Sequence, residues 1–239
     1  EPSAREPFLV LDKPSGLPSA PLQEGEDSAL SRALALFPAL AAVRGRKPVE
    51  RGLVHRIDTL TRGCVLIAAS QEAYDSLLEA QKNGLFVKWY RALVDDLPEA
   101  ASLLGAFPPL EERLLRARAS GPAAGDITLT SAFRPYGEKG AAVRPVTGES
   151  GRAAAKKGGS RLYETHVHFP AGEPGQAVCR ITAGYRHQVR CHLAWLGFPV
   201  QGDPLYNPAC KEGQALGFTA SRLVFPDPCD SSRLMDIRL

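Results

Sequence analysis

The sequence predicts an α+β fold: a largely antiparallel mixed β-sheet with flanking helices. Two observations carry this. Strand-like runs bounded by turn residues clearly outnumber helical stretches along the chain. The helical stretches that do occur have a recognisable cap and an apolar face, as helices packed on a sheet need. No internal repeat interrupts this pattern.

The elements follow in order. Phe8-Leu9-Val10-Leu11 reads as a strand running into a Lys13-Pro14 turn. Asp27 or Ser28 can cap a short helix with Leu30, Ala33, Leu34 and Phe37 on one face, ended near Pro38. The basic stretch 44–51 should be a loop. Cys64-Val65-Leu66-Ile67-Ala68-Ala69 is a continuous apolar run of core-strand length. Ser70 can cap a helix with Ala73, Tyr74, Leu77, Leu78 and Gln81 on one side, closed by Asn83-Gly84. Residues 88–95 read as a strand, followed by about fifty residues of irregular composition with a short helix expected at 111–118. Strands resume at 163–169 and 177–182. A helix opens at Gly184, turns Val189, Leu193 and Leu196 toward the core, and stops at Gly197 as its C′ residue. The end reads as strands at 221–225 and 233–239 around a Pro-Asp-Pro-Cys-Asp turn.

Composition narrows the function classes. A hydrophobic fraction of 44% with 23% charged residues is ordinary for a globular protein. No apolar run approaches the ~20 residues that span a bilayer, and no signal-peptide pattern is visible. The five cysteines are odd in number, widely spread and form no C-x-x-C pair, which disfavours a disulfide framework or a zinc site and makes reduced and intracellular the default expectation. His55, His187 and His192 lack metal-ligand spacing, and the last two, five apart, do not share a helix face as an i, i+4 pair does. Residue 1 is Glu and the only Met is Met235, so the chain as written does not begin at its initiator.

The net charge of +3 is mild, but its placement is uneven. Between Ser131 and Arg161 stand seven basic residues (Arg134, Lys139, Arg144, Arg152, Lys156, Lys157, Arg161) against Glu138 and Glu149. In a stretch rich in Gly, Ala and Pro this suits a mobile arm that tracks phosphates, or a solvated loop without a partner.

One stretch concentrates the chemistry. His55-Arg56-Ile57-Asp58, with Thr61 and Gly63 after it, puts a carboxylate in the loop leading into the core strand, with a guanidinium two residues before it. Taken alone, Asp58 is equally a turn residue or a helix cap. It does not stand alone: Lys13-Pro14-Ser15-Gly16-Leu17, the Lys88-Trp89-Tyr90-Arg91-Ala92 strand, His187-Gln188-Val189-Arg190 and Gly202-Asp203-Pro204-Leu205-Tyr206 complete an ordered set from residue 13 to residue 206.

On these motifs the chain resembles the RluA family of RNA pseudouridine synthases. The resemblance implies a pseudouridine synthase-like sheet with a central catalytic cleft, and a single catalytic domain over 1–239 with a basic, irregular insertion at about 105–160. It assigns Asp58 as the catalytic carboxylate, Tyr90 as the active-site tyrosine and Arg190 as the arginine that pairs with the aspartate. It places Arg56 against RNA near the flipped base, and Lys13, Arg62, Arg186, His187, Arg152, Lys156 and Lys157 complete the expected RNA-binding set. For Arg62 and Arg186, surface charge is an equal alternative. Three places depart from the family's pattern: Arg62 where Ser is usual, Ala183-Gly184-Tyr185-Arg186-His187 where Thr-Gly-Arg-Thr/Ser-His is usual, and Phe218-Thr219-Ala220 where Leu-His-Ala is common.

The implied reaction breaks the uridine N1–C1′ bond, turns the base and rejoins it through C5. Asp58 would act as a nucleophile on the sugar or as a base on a glycal route; Tyr90 would take part in removing the C5 proton or stack on the uracil. The product is an isomer, so no cofactor or metal is expected. The expected partner is RNA, ribosomal or transfer, with no membrane and no obligate protein partner, and the chain is expected to be a cytoplasmic monomer. The competing readings are a catalytically inactive RNA-binding protein retaining the synthase fold, and a hydrolase using Asp58 and His187, which lacks a nucleophile elbow.

Overall fold

The computed structural model describes residues 2–120 and 125–239. Its strands are β1 Phe8–Lys13, β2 Arg62–Ala68, β3 Val87–Leu93, β4 Ile127–Tyr136, β5 Ala142–Val146, β6 Tyr163–His168, β7 Gln176–Ile181, β8 Phe218–Pro226 and β9 Leu234–Arg238. Its α-helices are α1 Ala29–Leu36, α2 Gln71–Lys82, α3 Ala100–Leu104, α4 Glu112–Ser120, α5 Arg152–Lys157 and α6 Gln188–Trp195. The expected class, a mixed and mostly antiparallel sheet with flanking helices, is the class observed. Contacts divide the chain into two units, residues 1–89 with 219–239 and residues 90–218. The chain leaves the first unit within β3, after Trp89, and returns to it within β8, at Thr219.

In the first unit β2 lies antiparallel to β1, from Phe8↔Ala68 to Lys13↔Gly63. It runs parallel to β8 through Arg62↔Thr219 and Gly63↔Ala220, so the sheet is mixed. Residues Cys64 to Ala68 are fully buried, as a continuous apolar run requires. Each large apolar side chain among them contributes roughly 1.5–3 kcal/mol by leaving water. Gly63 cannot be replaced cheaply: its φ is +119°, and a Cβ there would meet the Ala220 carbonyl oxygen at 2.2 Å. α2 is capped by Ser70, whose hydroxyl accepts from Ala73 N, and it buries Ala73, Tyr74 and Leu77 against Leu66, Phe86 and Phe225. β9 closes on β8 antiparallel, from Arg222↔Arg238 to Pro226↔Leu234.

In the second unit β4 pairs antiparallel with both β5 and β6, and β6 with β7. This corrects the expected irregular stretch. The part of 105–160 that lies among the described residues carries α4, β4, β5 and α5; residues 121–124 fall outside them. β4 forms because Ile127 and Leu129 alternate with Thr128 and Thr130, giving a buried face on β-favouring residues. α6 is buried along its whole length, and Trp195 Nε1 donates to Pro108 O at 2.8 Å. It starts at Gln188, later than the expected Gly184, because His187 has φ +58°, a left-handed conformation that a right-handed helix excludes. Among the described residues no helix is long and apolar enough to cross a membrane.

Candidate active site

Asp58 is half-buried in a loop that is fastened on both sides. Before it, Ile57 N donates to Ser19 Oγ (3.1 Å), which donates back to Ile57 O (2.8 Å). After it, Thr59 O accepts from Lys13 Nζ (3.0 Å) and Gly16 N (2.9 Å), and Leu60 O accepts from Ser15 Oγ (2.7 Å). The Lys13-Pro14-Ser15-Gly16-Leu17 segment is thus the clamp of the Asp58 loop. Lys13 also donates to Pro14 O (3.0 Å) and Leu17 O (2.7 Å), so all three ammonium donors end on backbone carbonyls. With 1% of its surface exposed, Lys13 is withdrawn from the expected RNA-contact set; it holds the loop instead. Burial lowers its pKa to about 8, partly opposed by the negative charge of Asp58.

The two arginines near Asp58 are exposed and each has an acidic neighbour. Arg56 Nη1 lies 3.1 Å from Glu50 Oε1, and Arg62 Nη2 lies 3.0 Å from Asp12 Oδ2. His55 is buried, and burial, helped by the charge of Lys88, pushes its pKa down to about 3. It is therefore neutral, and its Nε2 accepts from Leu66 N at 3.3 Å.

In the second unit Tyr90 is buried, its ring stacked on Phe218 with centroids 5.0 Å apart and planes at 5°. Phe218 is one of the positions that depart from the family's pattern. Arg190, on the first turn of α6, is 2% exposed and makes a bidentate ion pair with fully buried Asp203: Nε–Oδ2 2.7 Å and Nη2–Oδ1 2.8 Å. Leu205 N and Tyr206 N also donate to Asp203 Oδ1. A turn around Gly202 (φ +68°) brings Asp203 there, and a Cβ on Gly202 would meet Ala215 O at 2.0 Å. In the sequence, Gly202-Asp203-Pro204-Leu205-Tyr206 stands only as one motif of the ordered set, with no role for its aspartate. The missed signal is its aspartate, because an acid buried among Gly, Pro and Leu requires a cation.

Tyr206 carries the order one step further. Its oxygen accepts from Val143 N (2.8 Å) and lies within hydrogen-bond distance of His187 Nδ1 (3.1 Å), and burial pushes the phenol's pKa up. The left-handed His187 and buried Arg190 are therefore set by one turn, 202–206. His192 does something else. It is fully buried between Ser131 Oγ (2.9 Å) and Thr165 Oγ1 (2.8 Å), and burial lowers its pKa to about 3. No group of acids, histidines and cysteines that could hold a metal occurs among the described residues.

Two departures from the family's pattern acquire a structural account. Tyr185 stacks on Phe133 of β4 (5.0 Å, 8°) and tilts against Tyr163 of β6. Arg186 Nη2 donates to Gly140 O and to Ala142 O, tying the β4–β5 turn to the start of α6. Arg152, Lys156 and Lys157 lie exposed on α5 rather than on an irregular arm. Arg144 is no phosphate ligand: it is buried between Tyr136 and Phe107 and donates to Gly105 O, Val143 O and Leu104 O.

A family model described as RNA pseudouridylate synthase matches residues 7–195, well over half of the chain. The chain belongs to the RNA pseudouridylate synthase family. Its similarity to the RluA branch agrees with the relatives it matches. It is 27% identical over 214 residues to ribosomal large subunit pseudouridine synthase D of Zymomonas mobilis, covering 88% of this chain and 56% of that one. It is 33% identical over 205 residues to the protein of the same name in Xanthomonas campestris (85% and 50%), and 25% identical over 203 residues to tRNA pseudouridine(31) synthase of Saccharomyces cerevisiae (84% and 44%). The chain thus spans about half the length of the curated relatives it matches. The fold of human RNA pseudouridylate synthase domain containing 1 superposes with a TM-score of 0.62 at 18% identity, covering 100% of this chain and 85% of that one. This family fold carries Asp58 in the first unit and Tyr90, Arg190 and His187 in the second.

Proposed function

We propose that this chain is an RNA pseudouridine synthase that isomerises uridines in structured ribosomal or transfer RNA. The observation that carries this reading is the family match over residues 7–195, which contains Asp58 in its clamped loop together with Tyr90 and Arg190. Asp58 is the carboxylate that acts at the sugar–base junction. That chemistry needs a carboxylate and a cation, and a guanidinium stays charged and can grip a carboxylate in bidentate fashion. Arg190, aligned by Asp203, is the cation the family resemblance assigns to that task. Tyr90 serves the base, by stacking or in removal of the C5 proton. The target nucleotide has to leave its stack, at a cost of a few kcal/mol that contacts to neighbouring phosphates offset. Arg56, Arg62, Arg186, His187 and the α5 residues Arg152, Lys156 and Lys157 are the proposed RNA contacts. The protein acts on RNA as a cytoplasmic monomer.

The test is pseudouridine mapping in ribosomal and transfer RNA from cells lacking the gene, after incubation with wild type or Asp58→Asn. Wild type should restore specific pseudouridines. Asp58→Asn should restore none and bind RNA within a fewfold, since an amide is neither nucleophile nor base. Binding by wild type without any product would establish the inactive RNA-binding reading, and cleaved RNA the hydrolase.

A further inference from the structure

The β4–β5 turn borders a groove of about 550 Å³ that the proposed chemistry does not use, lined by Arg134, Pro135, Tyr136, Gly137, Gly140 and Lys157. Its lining holds two cations and an aromatic ring, and no acid. Arg134 is half-buried, with its guanidinium 5.4 Å from the Tyr136 ring centre and its Nη2 donating weakly to Ala106 O at 3.3 Å. Its Nε is buried without an acceptor, a donor that ordinarily finds one. Tyr136 is stiffened by the Arg144 guanidinium, 4.1 Å from its ring centre. Gly137 and Gly140 both have positive φ, and a Cβ on Gly137 would meet nothing within 4 Å, so the backbone leaves the groove open on that side. Arg186, next to His187, holds the turn by donating to Gly140 O and Ala142 O.

We propose that this groove is a subsite for one unpaired nucleotide of the RNA, its base against Tyr136 and its phosphate between Arg134 and Lys157. The assignment rests on the RNA-modifying reading above and adds a second point of attachment to it. An aromatic ring beside two cations suits a flat ring joined to a separate anion, and single-stranded RNA supplies both a π-face and a phosphate at every residue. Glu138, in the same turn, is exposed and outside the lining. Arg186 and Tyr185, which depart from the family's pattern, tie the β4–β5 turn and Phe133 of β4 to the α6 start.

The experiment measures anisotropy of a labelled ten-nucleotide oligouridylate on the full chain, against salt. Lys157→Glu and Arg134→Gln should each weaken binding about fivefold or more and lower the salt slope by about 0.7, one single-strand phosphate each. Tyr136→Leu should weaken binding by roughly fivefold or more with no change in slope, and Tyr136→Phe, which keeps the ring, should bind as wild type. Wild-type affinity and slope in Lys157→Glu, a surface change that leaves the fold intact, would overturn the subsite. So would failure of wild type to bind the oligonucleotide, or equal losses in Tyr136→Phe and Tyr136→Leu. Pseudouridine formation by the same preparations is read separately. Groove-dependent binding without any product would leave the subsite standing and sink the catalytic reading, while product formation with unaltered binding in all variants would do the reverse.

Discussion

Two buried charges show how much of the site is set by individual side chains. Arg190 and Asp203 pair where neither is exposed, so removing Asp203 takes a bidentate acceptor away from a buried guanidinium. Asp203→Ala should destabilise the protein by about 3–5 kcal/mol in urea unfolding, and Asp203→Asn by less because the amide still accepts from Leu205 and Tyr206 N–H. A loss under about 1 kcal/mol in Asp203→Ala would mean the arginine finds water or another acid. Lys13 carries a pH dependence. Its pKa of about 8 lies below the ordinary 10.5, so between these values the unfolded chain binds a proton that the folded chain has released. Stability at this group therefore rises with pH through that window, whereas the ammonium that clamps Thr59 O is lost above about pH 8. Turnover should fall through an apparent pKa near 8 with the fold intact, and Lys13→Arg, which keeps its charge, should move that limb upward. A rate that stays level while circular dichroism shows intact protein would show that the clamp works without its charge.

Elements here are joined by a few specific residues rather than by broad faces alone. The β4–β5 turn contains three positive-φ residues, Gly137, Lys139 and Gly140, and would be loosely held without Arg186. Arg186→Gln should raise amide exchange in residues 137–142 while β6, β7 and the core of α6 stay protected. Unaltered exchange there would show that β-pairing from Ala132↔Val146 to Tyr136↔Ala142 suffices. β4 itself was within reach of sequence reading, since Ile127-Thr128-Leu129-Thr130 alternates cleanly. The Gly, Pro and Ala around it diluted the signal, and β5, with Arg144 and Pro145 inside a five-residue strand, offered almost none.

At the scale of the molecule, a net charge of +3 understates the affinity for RNA that clustering can produce. α5 presents Arg152, Lys156 and Lys157 to solvent on a six-residue helix. Neutralising all three should weaken RNA binding across sequences and flatten its salt dependence by up to about 2–3 in log–log slope, at ~0.7–0.9 per phosphate. Turnover at saturating RNA should barely move, because these residues leave the reacting uridine untouched. Identical slopes would make α5 a solvated helix and shift the RNA track to Arg44, Arg46, Lys47 and Arg51.

The sequence by itself determined what depends on neighbours along the chain. The apolar run of β2, the Ser28 and Ser70 caps and the stop at Gly197 are all local patterns, and each is found where local chemistry puts it. Tertiary structure alone decided which partner each polar group takes. Lys13 reads as a phosphate ligand until a loop 46 residues away brings Thr59 O to it. Asp203 is only a member of a motif until Arg190 closes on it, and Tyr185 and Arg186 read as departures until β4 and its turn arrive beneath them. The physical reason is that a strand's period or a helix cap is fixed within a few residues. A buried charge is satisfied only by whatever the folded chain delivers to it, and its own neighbours do not record that partner.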